Sequence, residues 1–160
     1  QQMPFISEKI PTFEEFANAS IEDIYGDEII DAYERKVTSF ESIVLINRGN
    51  NKFDVQKLPP LAQSIPILTS DVYDINNDGY EDIIVAGNIY NTEVETPRLD
   101  NQFALVLISD KSRNYNVIGP DKSGLYLSGN TKSIKIIGDE SPKLLVANNN
   151  SDLEVFELNK

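Results

Sequence analysis

Histidine and cysteine are both absent from the 160 residues. Their absence excludes Ser-His-Asp and Cys-His nucleophilic sites, Cys/His zinc sites, haem and iron–sulfur ligation, and disulfides. Long apolar runs are also missing: none approaches the roughly 18 residues of a transmembrane helix, so we expect no membrane insertion. Carboxylates, amides, hydroxyls, lysine and arginine remain for chemistry. The oxygens of the carboxylates, amides and hydroxyls suit a hard cation such as calcium.

Basic residues are scarce as well. Lysine and arginine number 14 against 26 acidic residues, which gives a net charge of −12. A field of that sign repels phosphate backbones and anionic lipid surfaces. We therefore expect no nucleic-acid partner, and we expect cations, above all metal ions, to be the favoured ligands.

Two zones differ in composition. Residues 1–38 are acidic and lack strand-like runs, whereas residues 39–160 are rich in Ile, Val, Leu and Asn. Most of the 16 asparagines in the sequence fall between apolar runs. We predict a helical insert or cap over residues 1–38 and a β-structure over residues 39–160. The polar opening has no cationic or apolar leader segment, and we expect the 160 residues to be part of a longer chain.

The helical zone carries recognisable start signals. Thr12 followed by Glu15 fits a capping box, and Ser20 marks a weaker second start. Gly26 should interrupt the helix, and Asp27 could cap a third short helix that runs to about Arg35.

The second zone predicts many short strands. Apolar runs of about five to seven residues alternate with turns rich in Asn, Asp and Gly, the pattern of an all-β arrangement. The nine candidates are Phe40–Asn47, Phe53–Leu58, Ile65–Tyr73, Asp82–Gly87, Phe103–Ser109, Tyr115–Ile118, Ser133–Gly138, Lys143–Ala147 and Leu153–Leu158.

A faint internal repeat organises these strands. The segment Glu41–Asn47 is similar to Gln102–Ile108, and Lys143–Asn148 echoes Asp82–Asn88 61 residues further along. Four strands per unit, with the excess length in loops, is typical of propeller blades. We therefore predict a mainly β fold: a partial β-propeller, or an open stack, of about two and a half four-stranded blades with a short N-terminal helical segment.

One motif points to a metal. Residues 74–82 read D-I-N-N-D-G-Y-E-D, which places oxygens at alternate positions of a tight loop with Gly at its sharp turn. The predicted calcium ligands are Asp74, Asn76, Asp78, the main-chain carbonyl of Tyr80, and Asp82. An EF-hand is excluded because its position 12 here falls in an apolar run. The alternative is an Asx-rich hairpin turn without metal.

Two further features could contact a ligand. The excursion Thr92–Asp100 carries acidic residues and Arg98, which could grip a sugar or a protein, or could form a solvated loop with an Arg98–Asp100 pair. Tyrosines could stack on sugars, although tyrosine in β-proteins is more often half-buried with a wet hydroxyl. The tyrosines concerned are Tyr73, Tyr80, Tyr90, Tyr115 and Tyr126.

These stretches together resemble a known family. The run D-I-N-N-D-G-Y-E-D-I-I-V-A-G-N, from Asp74 to Asn88, resembles the calcium loop of the FG-GAP/VCBS repeats found in integrin alpha-subunit propellers and many bacterial surface proteins. Phe40–Phe53 resembles the strand–turn–strand element of those repeats. Three further stretches are similar to large bacterial VCBS proteins related to the ASPIC/UnbV and cartilage acidic protein group: Thr12–Ala17, Thr92–Asp100 and Leu145–Asn150.

The resemblance implies a function. It implies a non-enzymatic, calcium-stabilised β-propeller segment of an exported bacterial protein, at the cell surface or outside the cell, with outer-membrane association or a periplasmic location as alternatives. Its role would be adhesion or binding of a glycan or a protein, with the remaining blades of a longer chain, or self-association, completing the fold. Two alternatives remain: a domain of a calcium-dependent carbohydrate-active enzyme, and an architectural end-cap. Only one complete calcium loop is present, since residues 138–142 lack the pattern.

Overall fold

The computed structural model describes residues Pro4–Leu158. The chain divides into two compact units, Gln1–Phe40 and Glu41–Lys160. The first unit is helical and the second is built mainly of strands. In the described part of the chain, no helix is both long and apolar enough to cross a membrane.

The first unit contains three short helices, each of five or six residues. Both predicted starts are confirmed: Thr12 forms a capping box with Glu15, and Ser20 forms one with Asp23. The third helix ends at Gly26, whose φ of 59° a residue with a side chain rarely adopts. The helices are α1 (Phe5–Lys9), α2 (Phe13–Asn18) and α3 (Ile21–Tyr25).

The prediction of a further helix, from Asp27 to about Arg35, is wrong. A 3₁₀ turn over Gly26–Ile29 takes its place and ends there. Tyr33 is 82% exposed, and Arg35 donates a hydrogen bond from Nε to its hydroxyl over 3.0 Å. Residues two apart do not face each other on a helix, so this contact requires another backbone course. Unlike α2 and α3, the 3₁₀ turn has no side chain that caps its first N–H groups.

The described residues of the second unit form nine strands in three sheets, which confirms the mainly β prediction. Every pairing is antiparallel and joins strands that are neighbours in the sequence. Sheet 1 holds β1 (Ile43–Asn47) and β2 (Phe53–Lys57). Sheet 2 holds β3 (Thr69–Tyr73), β4 (Asp82–Ala86), β5 (Leu105–Ser109) and β6 (Tyr115–Ile118). Sheet 3 holds β7 (Thr131–Ile137), β8 (Lys143–Asn148) and β9 (Glu154–Glu157).

Two short helices in this unit were not predicted. They are α4 (Pro60–Gln63), after β2, and α5 (Pro120–Ser123), after β6. Each begins with a proline, whose fixed φ and missing N–H suit the first helical turn. The prolines therefore start a helical turn at each of these strand ends.

Sheet 2 is covered on both faces. Ile84 and Val106 belong to an apolar cluster shared with Leu144 and Val146 of sheet 3. The alternate residues of β4 and β5 belong to a second cluster, which includes Leu58 and Ala62 and against which Val44 of sheet 1 packs. Side chains alternate between the faces of a strand, so β4 and β5 need apolar residues at nearly every position.

The repeat is present, but one residue away from its expected register. The N–H of Arg48 donates to the carbonyl of Lys52, and the N–H of Asp110 donates to that of Asn114, so the two turns match 62 residues apart. The sequence alignment of Glu41–Asn47 with Gln102–Ile108 uses 61. The offset of 62 also superposes the two ladders, because it maps the cross-strand pair Asn47–Phe53 onto Ser109–Tyr115. A slip of one residue would exchange the faces of the strand.

Sheets 2 and 3 meet at their first strands. Thr69 Oγ1 on β3 accepts a hydrogen bond from the N–H of Ile134 on β7 over 3.1 Å, and the Asp71 carboxylate accepts one from Ile136 N–H. Lys135 Nζ lies 2.8 Å from Asp71 Oδ1. Burial raises the pKa of Asp71, but the bonds from Ile136 and Lys135 outweigh it and leave the pKa below its usual value. Side chains of β3 thus satisfy the edge amides of β7.

Candidate metal centre

The motif D-I-N-N-D-G-Y-E-D forms the connection between β3 and β4. The loop leaves β3 after Tyr73 and returns at Asp82, the first residue of β4. Asn77 and Gly79 have φ values of 57° and 87°, in the left-handed region that asparagine and glycine tolerate best. The predicted hairpin around the motif is therefore present.

The side chains of Asp74, Asn76 and Asp78 fold back onto the loop backbone. Asp74 accepts hydrogen bonds from the N–H groups of Asp78 and Gly79, over 3.1 and 2.9 Å. Asn76 Oδ1 also accepts from Asp78 N–H, and its amide donates to Asp78 Oδ2 over 2.9 Å. Asp78 Oδ1 accepts from Tyr80 N–H. These bonds draw three of the predicted ligands into one tight turn.

Asp82 occupies a different environment. It is fully buried, and each of its carboxylate oxygens accepts a main-chain hydrogen bond. Oδ2 accepts from Ile75 N–H over 3.0 Å, and Oδ1 accepts from Ser109 N–H on β5 over 2.8 Å. Asp82 therefore ties the start of the loop to the end of a neighbouring strand.

The donor atoms of the loop suit calcium, but the spatial arrangement of its carboxylates suits the ion less well. Oxygens of carboxylates, an amide and a carbonyl are the ligands that calcium takes, and each bonded oxygen retains a second lone pair. Across residues 4–158, however, no three Asp or Glu side chains come together as a group that could hold a metal ion. The turn gathers Asp74, Asn76 and Asp78, while Asp82 lies on the strand ladder. The calcium ligand set stays a prediction.

The negative charge of the loop is balanced by dipoles. Within the described residues none of the three aspartates forms an ion pair. Each carboxylate oxygen instead accepts a hydrogen bond from an N–H group. Such bonds to ionised acceptors are about twice as strong as neutral ones. The turn therefore has a way to hold its carboxylates together that the sequence argument did not include.

The excursion between β4 and β5 contains the expected ion pair. Arg98 lies 2.9 Å from Asp100, and its guanidinium stacks 4.6 Å from the ring centroid of Tyr90. Arg98 is therefore already engaged within the loop, as in the solvated-loop interpretation. Its binding of a sugar or a protein stays a prediction.

A buried asparagine that the sequence analysis did not single out holds this excursion in place. Asn88 is 1% exposed, donates to the carbonyl of Gly129 over 2.7 Å and accepts from the N–H of Asn101 over 3.0 Å. Lys132 Nζ donates to its main-chain carbonyl. The position of Asn88 just after the buried residues of β4 could have indicated this role, because a buried polar side chain needs hydrogen-bond partners.

The tyrosines divide by exposure. Tyr126 is 59% exposed, whereas the other four are partly buried. The hydroxyls of Tyr73 and Tyr90 donate to the carbonyls of Asp139 and Ser128. Burial raises the pKa of Tyr115 above its usual value, and the Asp82 and Glu81 charges add to the effect against that of Arg113. Stacking on sugars stays a prediction, and Tyr126 is the most open of the five.

Comparison with known proteins gives no relative: no protein-family model, no curated protein and no solved structure matches the chain. The likeness to FG-GAP/VCBS repeats therefore rests on the residues quoted above.

Proposed function

We propose that this protein is a non-enzymatic, calcium-stabilised β-propeller segment of an exported bacterial surface protein, with a binding or adhesion role toward a glycan or protein. One observation carries the proposal. The candidate calcium loop ends in Asp82, whose buried carboxylate bonds both the loop backbone at Ile75 and the strand β5 at Ser109. A cation held by the loop would therefore stabilise the sheet as well as the turn.

Two features of the second unit support blades. Three antiparallel sheets follow one another in chain order, and the middle one has the four strands of a blade. The first strands of sheets 2 and 3, β3 and β7, lie beside each other and are joined by Asp71 and Thr69. Innermost strands of neighbouring blades would lie side by side in this way around a propeller axis.

The chemistry of the loop defines the role of calcium in the proposal. Asp74, Asn76, Asp78, the Tyr80 carbonyl and Asp82 would supply the protein oxygens, with water completing about six to eight ligands. The ion would supply positive charge to a turn that holds carboxylates together by N–H dipoles alone. Its contribution is therefore to stability.

A binding role agrees better with the residue set than the alternative of a carbohydrate-active enzyme. The sequence has no histidine, and no lysine lies within the motif to act as a base beside calcium. Hydrolysis or lyase activity on a polysaccharide panel would favour the enzyme. Normal folding with no ligand on a glycan array or among surface proteins would favour the architectural end-cap.

A thermal melt after EDTA treatment, with and without added calcium, tests the proposal. Extracellular sites bind calcium with dissociation constants of about 10⁻⁴–10⁻³ M, so 10 mM calcium should add about 1.4–2.7 kcal/mol to the free energy of unfolding. The variant Asp78→Ala should lose this increment. Asp110→Ala is the matched control, because Asp110 also accepts backbone N–H bonds in an exposed turn but lies outside the motif.

Magnesium at the same concentration controls for general screening. Stabilisation that is selective for calcium, is kept in Asp110→Ala and is lost in Asp78→Ala would support the metal loop. Equal melting temperatures with and without calcium would reduce residues 74–82 to an Asx-rich turn and remove the basis of the proposal.

A further inference from the structure

The β1 edge of sheet 1 is unpaired in the part of the chain that the structure describes. The carbonyl of Ser42 accepts from Leu58 N–H, and the N–H of Arg48 donates to Lys52, so even-numbered residues of β1 face β2. Hydrogen-bonding direction alternates along an antiparallel strand. The N–H and C=O groups of Ile43, Leu45 and Asn47 therefore point away from β2, toward the side where β1 has no neighbour in the described structure.

A cavity of about 260 Å³ lies along this edge. The four consecutive β1 residues 44–47 line it, as do Val72 of β3 and Ile83 of β4. Val72 and Ile83 are cross-strand partners on the face of sheet 2 that looks toward sheet 1. Val72 is nevertheless 47% exposed, because the two strands of sheet 1 leave this part of sheet 2 uncovered. The cavity therefore has an apolar floor and an unpaired strand as its wall.

The internal repeat shows what occupies the equivalent place in sheet 2. At the offset of 62 residues, Leu45 corresponds to Leu107 and Asn47 to Ser109. On the side of β5 that faces away from β6, Leu107 is paired with Ile83 of β4. Two residues further along β5, the N–H of Ser109 donates a hydrogen bond to the carboxylate of Asp82. The strand that fills this edge in sheet 2 is thus apolar and begins with an aspartate.

The cavity also offers a charge for such an aspartate. Arg113 lines it together with Asn47, and its guanidinium takes part in no ion pair within the described part of the chain. Glu81 lines the cavity as well and would oppose an incoming carboxylate. Arg113 is the group that would offset this repulsion.

We propose that the free edge of β1 binds an extended, Asp-led apolar strand of the type Asp82–Ala86, antiparallel to β1, with its aspartate on Asn47 N–H beside Arg113. The strand comes from a polypeptide segment other than these 160 residues. A second copy of the chain is the poorer donor, because β4, the Asp-led apolar strand among its described residues, lies in the middle of its sheet. The inference rests on the blade part of the proposed function and requires no bound cation, although Tyr80 of the candidate calcium loop also lines the cavity.

A synthetic peptide tests this. The probe carries the sequence of Glu81–Gly87 between lysine tails and a fluorophore, and a control peptide has the same tails with serine at the apolar positions. Saturable binding of the probe alone, by anisotropy, is expected. In hydrogen exchange, the amides of Leu45 and Asn47 should become protected when the probe is added, while that of Val55 should not change.

Two proline variants form a matched pair. Leu45 and Val55 are cross-strand partners on one exposed face, and their N–H groups point to opposite edges of the sheet. Proline is tolerated where a strand N–H faces outward, so both variants should fold. Leu45→Pro should weaken probe binding by about tenfold or more, and Val55→Pro should leave it within about twofold. Arg113→Gln, or Asn in place of the peptide aspartate, should cost about two- to fivefold.

Equal loss in the two proline variants, or probe binding without protection of Leu45 and Asn47, would overturn the inference. A dimer in sedimentation that Leu45→Pro dissociates would overturn it in favour of a second copy as the occupant. Calcium-dependent melting together with an unprotected β1 edge would refute this inference alone and leave the metal loop standing.

Discussion

Removing the Asp71 carboxylate should loosen the junction between sheets 2 and 3. Asp71→Ala leaves the partly buried N–H of Ile136 without its acceptor and frees Lys135. A hydrogen bond to a charged group contributes about 1.5–3 kcal/mol, and the ion pair adds little because the Lys135 side chain is 68% exposed. We expect a loss of about 2–3 kcal/mol in the free energy of unfolding.

The assay is urea and thermal unfolding followed by circular dichroism, with Lys135→Ala as the matched control. Asp71→Ala should lower Tm by roughly 4–10 °C. Lys135→Ala should cost less than about 1 kcal/mol. Equal losses in the two variants would show that the ion pair, rather than the bond to Ile136 N–H, holds the junction, and would refute the reasoning.

The same carboxylate gives a pH dependence with a definite sign. Its pKa is depressed in the folded state, so its contribution is fully present above the unfolded value of about 3.9 and is lost as pH falls through the lower folded value. The stability gap between wild type and Asp71→Asn should therefore be constant near pH 6 and shrink below about pH 4. A gap that widens on acidification would contradict this assignment.

Two further variants probe the packing around β4. A Cβ at Gly87 would approach the Leu68 nitrogen and the Pro66 carbonyl oxygen to 2.7 Å, so Gly87→Ala should destabilise by more than about 2 kcal/mol. Gly49→Ala meets no atom within 4 Å and should cost about 1–2 kcal/mol from its φ of 77° alone. Similar melting temperatures for the two variants would argue against the close approach at Gly87. Asn88→Ala removes the partners of Gly129 and Asn101 and should cost about 2–4 kcal/mol by chemical denaturation. A loss below about 0.5 kcal/mol would mean that water replaces the amide.

The strands could be predicted from the sequence because each is a short apolar run between turn-forming residues. Asn77 and Gly79 are such residues, and both adopt positive φ. The sheet sizes of two, four and three could not be predicted, because the apolar pattern of a strand says which faces are buried and not which neighbour it pairs with. The helix predicted after Asp27 shows the same limit: Asp27 is a reasonable cap residue by sequence, but no side chain caps the 3₁₀ turn that forms there.

The candidate site divides in the same way. The turn of Asp74, Asn76 and Asp78 follows from local spacing. The environment of Asp82 does not follow from local spacing, because the sequence cannot distinguish a carboxylate that faces a metal from one that accepts a hydrogen bond from Ser109 N–H. The contacts of Asp71 with β7 are invisible to local patterns, because 65 residues separate it from Ile136.

The way sheets 2 and 3 are joined bears on how such a chain can change over time. The first strands, β3 and β7, share no main-chain ladder. Amides of β7 instead donate hydrogen bonds to the side chains of Thr69 and Asp71. Two codons therefore specify the β3 side of the polar contacts with β7, while each sheet keeps its own pairing. A change at these two positions can alter the polar contacts between the sheets, whereas exchange of a whole sheet would also have to preserve the apolar cluster that both sheets share.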